Sequence, residues 1–149
     1  MKKLILLFLV LWFGHASGAE YYVMCQPDSF VYLREFAKRQ SDCVGYLELG
    51  DRVVSDGRRK NGFIHLVDVS NESGEGWVYS GFLVSGEIQR GTTKAWVDSP
   101  GRVACRRSAN GTRRRWLRNG AEVLLYASGD EWSITDEGFI QTKYLIVEH

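Results

Sequence analysis

The chain has 149 residues, of which 44% are hydrophobic, 13% aromatic and 25% charged, and its formal net charge is +1. This composition excludes a disordered chain, because disordered sequences are poor in aromatic residues and carry a high net charge. It also disfavours a nucleic-acid partner, because the chain has no overall basic charge. The 16 glycines against 2 prolines indicate many tight turns and favour an all-β fold.

Residues 1–19 have the pattern of a secretory signal peptide. Lys2 and Lys3 give a positive start, residues 4–13 are apolar, and Ser17-Gly18-Ala19 supplies small residues for cleavage. The apolar run is too short to cross a bilayer as a helix, and no further apolar stretch follows, which disfavours the alternative of an uncleaved anchor. We therefore expect an exported protein, periplasmic or extracellular, with no transmembrane segment in the mature chain.

The remainder of the chain contains two copies of one pattern. GWVYSGFL at 76–83 and GFIQTKYL at 138–145 both have glycine, two apolar residues, three spacers, an aromatic residue and leucine. Two further segments recur in the same order: 31–34 matches 103–106, and 47–53 matches 117–123. The agreement in order and residue type indicates a tandem duplication.

Each copy has the pattern of a series of short strands. Turn signals such as Gly50-Asp51, Asn61-Gly62 and Asn119-Gly120 interrupt alternating apolar runs. Five short strands in a unit of about 55–60 residues fit a small closed barrel, which leaves no sheet edge exposed. We predict an all-β protein with a first domain over 20–86, a linker over 87–93 and a second domain over 94–149.

In both copies, an apolar-x-apolar-Arg start is followed by Leu-x-x-Gly-x-x-Val, an aromatic strand, and Gly-aromatic-apolar-x-x-x-aromatic-Leu. This order resembles the bacterial SH3-like (SH3b) domain, here in tandem. The resemblance implies two five-stranded barrels and a targeting module of the kind that accompanies cell-wall hydrolases, although no hydrolase domain is present. The Gly-Pro that follows the early arginine in that family is replaced by Phe36-Ala37 and by Ser108-Ala109, so the loop that shapes the family's ligand groove differs here.

The repeated aromatic positions predict the barrel cores. The residues expected to be buried on this ground are Phe63, Trp77, Trp132, Phe139 and Tyr144.

The three cysteines allow at most one internal disulfide. A bond between Cys25 and Cys43, which lie in the same copy, would close a short loop and stabilise the fold by about 3 kcal/mol. The sequence does not decide this pairing. Cys105 lies in the other copy and fits a small buried hydrophobic residue.

The sequence does not indicate an enzyme. A hydrolase needs a nucleophile, a base and an orienting group. After signal cleavage the only histidines are His65 and the terminal His149. A thiol–imidazole pair would need His65 with Cys43 or Cys105, yet no catalytic motif surrounds these residues. No paired Cys/His spacing suggests a metal site, and we expect no cofactor.

An arginine-rich segment is the sharpest functional feature. Six arginines and Trp116 lie within residues 106–118. If Leu117 faces the core, as its match Leu47 should, then Trp116 and Tyr46 face outward, because side chains alternate along a strand. Guanidinium groups beside an exposed ring suit sugars, peptide stems or anionic polymers. The predicted ligand-binding residues are Arg106, Arg107, Arg113, Arg114, Arg115, Trp116 and Tyr46.

Two alternatives remain open. The arginines of this segment can instead be solvated and paired with the acidic residues at 130–131 and 136–137. At the level of function, the sequence predicts an exported, non-catalytic protein that binds peptidoglycan or another anionic envelope polymer. The alternative is a periplasmic protein–protein interaction module, either an assembly factor or an inhibitor.

Overall fold

The computed structural model describes residues 18–69 and 74–147. In these residues the chain is all-β, as predicted, and forms two seven-stranded antiparallel sheets. The predicted signal peptide lies outside the described residues, except for Gly18 and Ala19. No helix within the described ranges is long and apolar enough to cross a membrane.

The first sheet is built from the first copy of the repeat. Its strands are β1 Glu20–Val23, β2 Val31–Arg34, β3 Cys43–Leu47, β4 Arg52–Lys60, β5 Phe63–Val69, β6 Gly76–Tyr79 and β7 Leu83–Val84, with a 3-10 turn over Ser80–Phe82. They pair in the order β3-β2-β6-β5-β4-β1-β7.

The second sheet repeats this arrangement. Its strands are β8 Gln89–Val97, β9 Val103–Arg106, β10 Arg113–Leu117, β11 Glu122–Ser128, β12 Trp132–Thr135, β13 Gly138–Gln141 and β14 Leu145–Val147, with a 3-10 turn over Thr142–Tyr144. The pairing order, β10-β9-β13-β12-β11-β8-β14, is that of the first sheet advanced by seven strands. The duplication seen in the sequence is therefore also a duplication of topology.

The prediction of closed five-stranded barrels is wrong. Each sheet has seven strands, and among the described strands the two ends of each sheet do not pair with each other. The difference arises because β7 pairs with the N-terminal strand β1 instead of with β3. β8 covers residues 89–93 of the segment predicted as a linker, and Gln89 and Arg90 pair with β11. The domain boundaries themselves stay a prediction.

A glycine begins the equivalent strands β6 and β13 for a steric reason. A Cβ on Gly76 would lie 2.9 Å from the backbone oxygen of Arg34, and one on Gly138 would lie 2.7 Å from that of Arg106. Gly138 also has φ +119°, a conformation that side chains disfavour. The two glycines thus let β6 and β13 approach the ends of β2 and β9.

The predicted aromatic core is partly correct. Phe63, Trp132 and Phe139 are buried, whereas Trp77 and Tyr144 are only half-buried. Val78 and Ile140, which follow the first aromatic residue of β6 and β13, are fully buried instead.

The two units share one hydrophobic cluster, which joins Leu33 and Leu66 of the first unit to Trp132 and Phe139 of the second. A backbone hydrogen bond also crosses between them, from the Ala109 N–H to the Gly81 carbonyl (2.9 Å). A side-chain hydrogen bond also crosses, from Gln26 Nε2 to the Thr135 carbonyl (2.9 Å). These contacts hold the loops of the two units next to each other.

Candidate functional site

Trp116 lies on the outer surface of β10, as the alternation argument predicted. It is 40% exposed, while its neighbour Leu117 is 6% exposed. Two guanidinium groups lie over the indole: the Cζ of Arg102 is 4.6 Å and the Cζ of Arg113 is 4.8 Å from the ring centroid. We call these three residues the Trp116 face. Arg102 precedes β9 and lies outside the arginine-rich segment, so the sequence pattern did not indicate it.

The remaining arginines of the segment are divided between structural and exposed positions. Arg115 forms an ion pair with Glu137 (2.9 Å), and Arg114 donates to the Glu137 carbonyl (3.2 Å). Arg106 donates to the Gly111 carbonyl (3.0 Å) and so holds the β9–β10 loop. Arg107 is exposed, and its side chain makes no hydrogen bond or ion pair with any described residue. The paired alternative is therefore correct for Arg115.

Arg106 has a structural equivalent in the first unit. Arg34 donates to the Ser41 carbonyl (2.8 Å) in the β2–β3 loop, just as Arg106 does to Gly111 in the β9–β10 loop. An arginine that makes the same loop contact in both units has a structural role common to both.

Tyr46 belongs to an aromatic cluster on the first unit. It is 54% exposed, and its ring centroid lies 5.7 Å from that of Phe30 and 5.6 Å from that of Tyr32. Tyr32 is its direct cross-strand partner between β2 and β3. Tyr46 occupies the position that Trp116 occupies in the second unit, so the two predicted aromatic residues lie on equivalent faces of different units.

A groove of about 620 Å³, which no sequence pattern predicted, runs between the two units. We call it the seam groove. Its basic and polar lining consists of Arg34, Lys38, Arg39, Asn61, Arg107, Ser108 and Thr112, and its apolar lining of Val31, Tyr32, Ala37, Phe63, Tyr79 and Phe82. No acidic residue of the described chain lines it. A smaller cavity of about 300 Å³ lies beside it and is lined in part by Arg106, Arg107 and Arg114.

A polar cluster holds the β4–β5 hairpin together. His65 is 4% exposed, and its Nδ1 lies 2.9 Å from Oδ2 of Asp56, which also accepts from Arg58 Nε (2.9 Å). Desolvation alone would raise the pKa of the Asp56 carboxyl, but the hydrogen bonds from Arg58 and His65 outweigh it and lower the pKa to about 2. The rings of His65 and Trp77 lie 4.9 Å apart.

The possible bond between Cys25 and Cys43 is not formed in this structure. Cys25, Cys43 and Cys105 are all free thiols; Cys43 is exposed and the other two are buried. Burial raises the pKa of both Cys25 and Cys105 to about 11, which disfavours the thiolate form at neutral pH. His65 is occupied by Asp56 and Arg58 and has no thiol partner among the described residues. The described residues also contain no cluster of three or more potential metal ligands.

No protein-family model and no curated protein matches the chain. Among solved structures it is similar to NlpC1 from Trichomonas vaginalis, with 14% identity, a TM-score of 0.35, and 87% of this chain and 46% of that chain covered. NlpC2 from the same organism shows 13% identity, a TM-score of 0.37, and coverage of 90% and 49%. The chain spans about half the length of these two proteins. Likeness at these TM-scores does not establish a shared fold or function.

Proposed function

We propose that the chain is an exported, non-catalytic binding protein that recognises peptidoglycan or another anionic envelope polymer. The Trp116 face carries this proposal, because it places two guanidinium groups against one exposed indole. The resemblance to SH3b domains supports peptidoglycan as the ligand, and the signal-peptide pattern of residues 1–19 supports export.

The chemistry of the Trp116 face suits a ligand with both ring and charge. A sugar ring or peptide plane can lie against the indole, while the guanidinium groups donate to carboxylate or phosphate oxygens. Arg102 and Arg113 have no carboxylate partner among the described residues, so their donors remain available for a ligand. Binding through exposed charges is screened by salt, so we expect affinity to fall as ionic strength rises.

Sedimentation with purified, insoluble peptidoglycan tests the proposal. We expect the wild-type protein to pellet at low salt and the triple variant Arg102→Ala/Arg113→Ala/Trp116→Ala to remain in the supernatant. The exposed Arg118→Ala is the matched charge control and should pellet like the wild type. If the wild type stays in solution, envelope binding is wrong, and if the triple variant pellets equally well, the site is wrong.

The alternative function is a periplasmic protein–protein interaction module, an assembly factor or inhibitor. The observation that favours it is the exposed aromatic surface of the first unit, where Phe30, Tyr32, Phe36 and Tyr46 are each between 49% and 57% exposed. Surfaces of this kind mark interaction sites. Under this alternative, Tyr32→Ser/Tyr46→Ser abolishes co-purification of a specific envelope protein while sedimentation with peptidoglycan is absent in all variants.

Export is tested separately. Mass spectrometry of the protein recovered from the periplasmic or extracellular fraction should give an N-terminus near Glu20. Recovery of the uncleaved chain in the cytoplasm alone would contradict the proposal.

A further inference from the structure

The seam groove has an aromatic wall, the Ser108 hydroxyl and three cations that pair with no described residue. None of these belongs to the Trp116 face. We propose that this groove binds an acidic peptide segment of a partner protein, with carboxylates at its cations and a bulky apolar side chain on its aromatic rings. This site is independent of the proposed polymer-binding face.

The cations come from both units. Lys38 and Arg39 lie in the β2–β3 loop, and Arg107 follows β9 in the other unit. Their side chains make no hydrogen bond or ion pair with any described residue, and none of the acidic residues that the structure describes lines the groove with them. Three like charges without counter-charges create a positive potential that attracts an anionic ligand.

Ser108 adds a hydrogen-bonding group to the groove. The residue is 5% exposed and lines the groove, yet its hydroxyl has no hydrogen-bond partner in the described part of the chain. Gly81 and Gly111 approach it closely: an added Cβ would lie 2.7 Å from Ser108 Oγ at Gly81 and 2.1 Å from it at Gly111. The hydroxyl is therefore available to donate a hydrogen bond to a ligand oxygen. Arg107 and Ser108 both line the groove, so one carboxylate placed between them could contact both side chains.

The aromatic wall defines the other half of the ligand. The ring centroid of Tyr79 lies 6.0 Å from that of Phe63 and 5.8 Å from that of Phe82, and Tyr32 also lines the groove. Tyr79 is 41% exposed, so its ring is open to a ligand. The volume of about 620 Å³ is within the range of ordinary ligand sites.

These features favour a protein segment over the peptide stem of the cell wall. Both carry carboxylates, but the apolar groups of a wall stem are mostly methyl groups, which are too small to cover several rings. A protein segment offers Phe or Leu beside Asp or Glu. The interface contacts between the units, including the Ala109–Gly81 hydrogen bond, keep the two basic loops on either side of one groove.

Fluorescence anisotropy with a labelled pentapeptide tests the inference on the full chain. The probe is acetyl-Glu-Phe-Glu-Leu-Glu, and the controls replace either its acidic residues with lysine or its apolar residues with glycine. We expect the probe to bind with an affinity that falls as salt rises, and both controls to bind at least about tenfold more weakly. Equal binding of the lysine peptide would overturn the proposal.

Variants of the groove separate its parts. Arg107→Gln and Lys38→Gln/Arg39→Gln should each weaken the probe by about tenfold, the effect of losing a hydrogen bond to a charged group. Ser108→Ala should weaken it several-fold without lowering the melting temperature, because the lost hydroxyl has no partner in the protein. The control Lys94→Gln/Arg118→Gln removes two exposed cations outside the groove and should bind like the wild type.

Two results would overturn the inference. The first is that the groove variants and the control bind the probe equally. The second is that soluble wall stem peptides displace the probe at lower concentration than the unlabelled pentapeptide does, which would assign the groove to the wall. The triple variant of the Trp116 face should bind the probe normally. A failure of peptidoglycan sedimentation therefore does not contradict the groove inference. A failure of probe binding likewise does not contradict the proposed function of the Trp116 face.

Discussion

Replacing Gly138 with alanine tests how closely β13 must approach β9 at the start of the arginine-rich segment. A Cβ at this position would lie 2.7 Å from the backbone oxygen of Arg106, and the residue has φ +119°. Because the contact atom belongs to the backbone, the strand itself must move. The substitution therefore combines a steric clash with backbone strain.

The magnitude follows from these two contributions. The left-handed conformation costs a non-glycine residue about 1–2 kcal/mol, and overpacking costs about 1–3 kcal/mol. We expect Gly138→Ala to lower the free energy of unfolding by about 3 kcal/mol. For a chain of this size, 1 kcal/mol corresponds to about 2–4 °C, so the melting temperature should fall by about 6–12 °C.

Two control glycines separate the contributions. Gly120 has φ +86° and nothing within 4 Å of an added Cβ, so Gly120→Ala tests strain alone. Gly101 has neither a positive φ nor a neighbour within that distance, so Gly101→Ala tests only the change in the unfolded chain. Thermal unfolding followed by circular dichroism should rank the variants Gly101, Gly120, Gly138, from the most to the least stable. If Gly138→Ala has the same melting temperature as Gly101→Ala, the predicted clash and strain at Gly138 are wrong.

Two further predictions concern acid stability and the thiols. The folded-state pKa of Asp56, about 2, lies below its ordinary value of 3.8, so its stabilisation is present above that value and is lost as pH falls toward 2. Denaturant unfolding should show that the difference in free energy of unfolding between the wild type and Asp56→Asn becomes smaller over this pH range. A difference that stays constant with pH would contradict this prediction. Cys43 should react with a thiol reagent at neutral pH in the native protein, and Cys25 and Cys105 only after denaturation. A single reactive thiol in the denatured, non-reduced protein would instead show a disulfide.

The all-β class and the duplication were predictable, because both depend on local patterns of alternation and turn residues. The strand count and the open edges were not predictable in the same way. β1 pairs with both β4 and β7, and β8 extends into the segment predicted as a linker. Nothing in the local pattern of residues 20–23 indicates which distant strands they join.

The candidate site shows the same division. The outward position of Trp116 and Tyr46 follows from alternation beside a buried leucine, which is a local rule. The seam groove depends on where two loops meet, since Lys38 and Arg107 are distant in sequence and come from different units. A list of basic residues in sequence order could not bring them together.

The repeat itself offers a way to separate structural from functional residues. Arg34 and Arg106 match between the copies, and both hold a loop through a carbonyl. Gly76 and Gly138 also match. A side chain at Gly76 would clash with the backbone oxygen of Arg34, and one at Gly138 with that of Arg106. These two matched pairs therefore serve the shared fold.

Residues that differ between the copies are free of that constraint. Arg107 corresponds to Glu35, and Tyr79 corresponds to Gln141, yet Arg107 and Tyr79 both line the seam groove. A groove between two duplicated units is lined by different positions of each unit. We therefore expect the lining residues of one copy to differ from the residues at the matching positions of the other copy. Replacing each of these residues by the residue type of its counterpart, with Arg107→Glu and Tyr79→Gln, should remove probe binding while both sheets still form. If the variants instead fail to fold, these residues are required for the structure and the expectation from divergence is wrong.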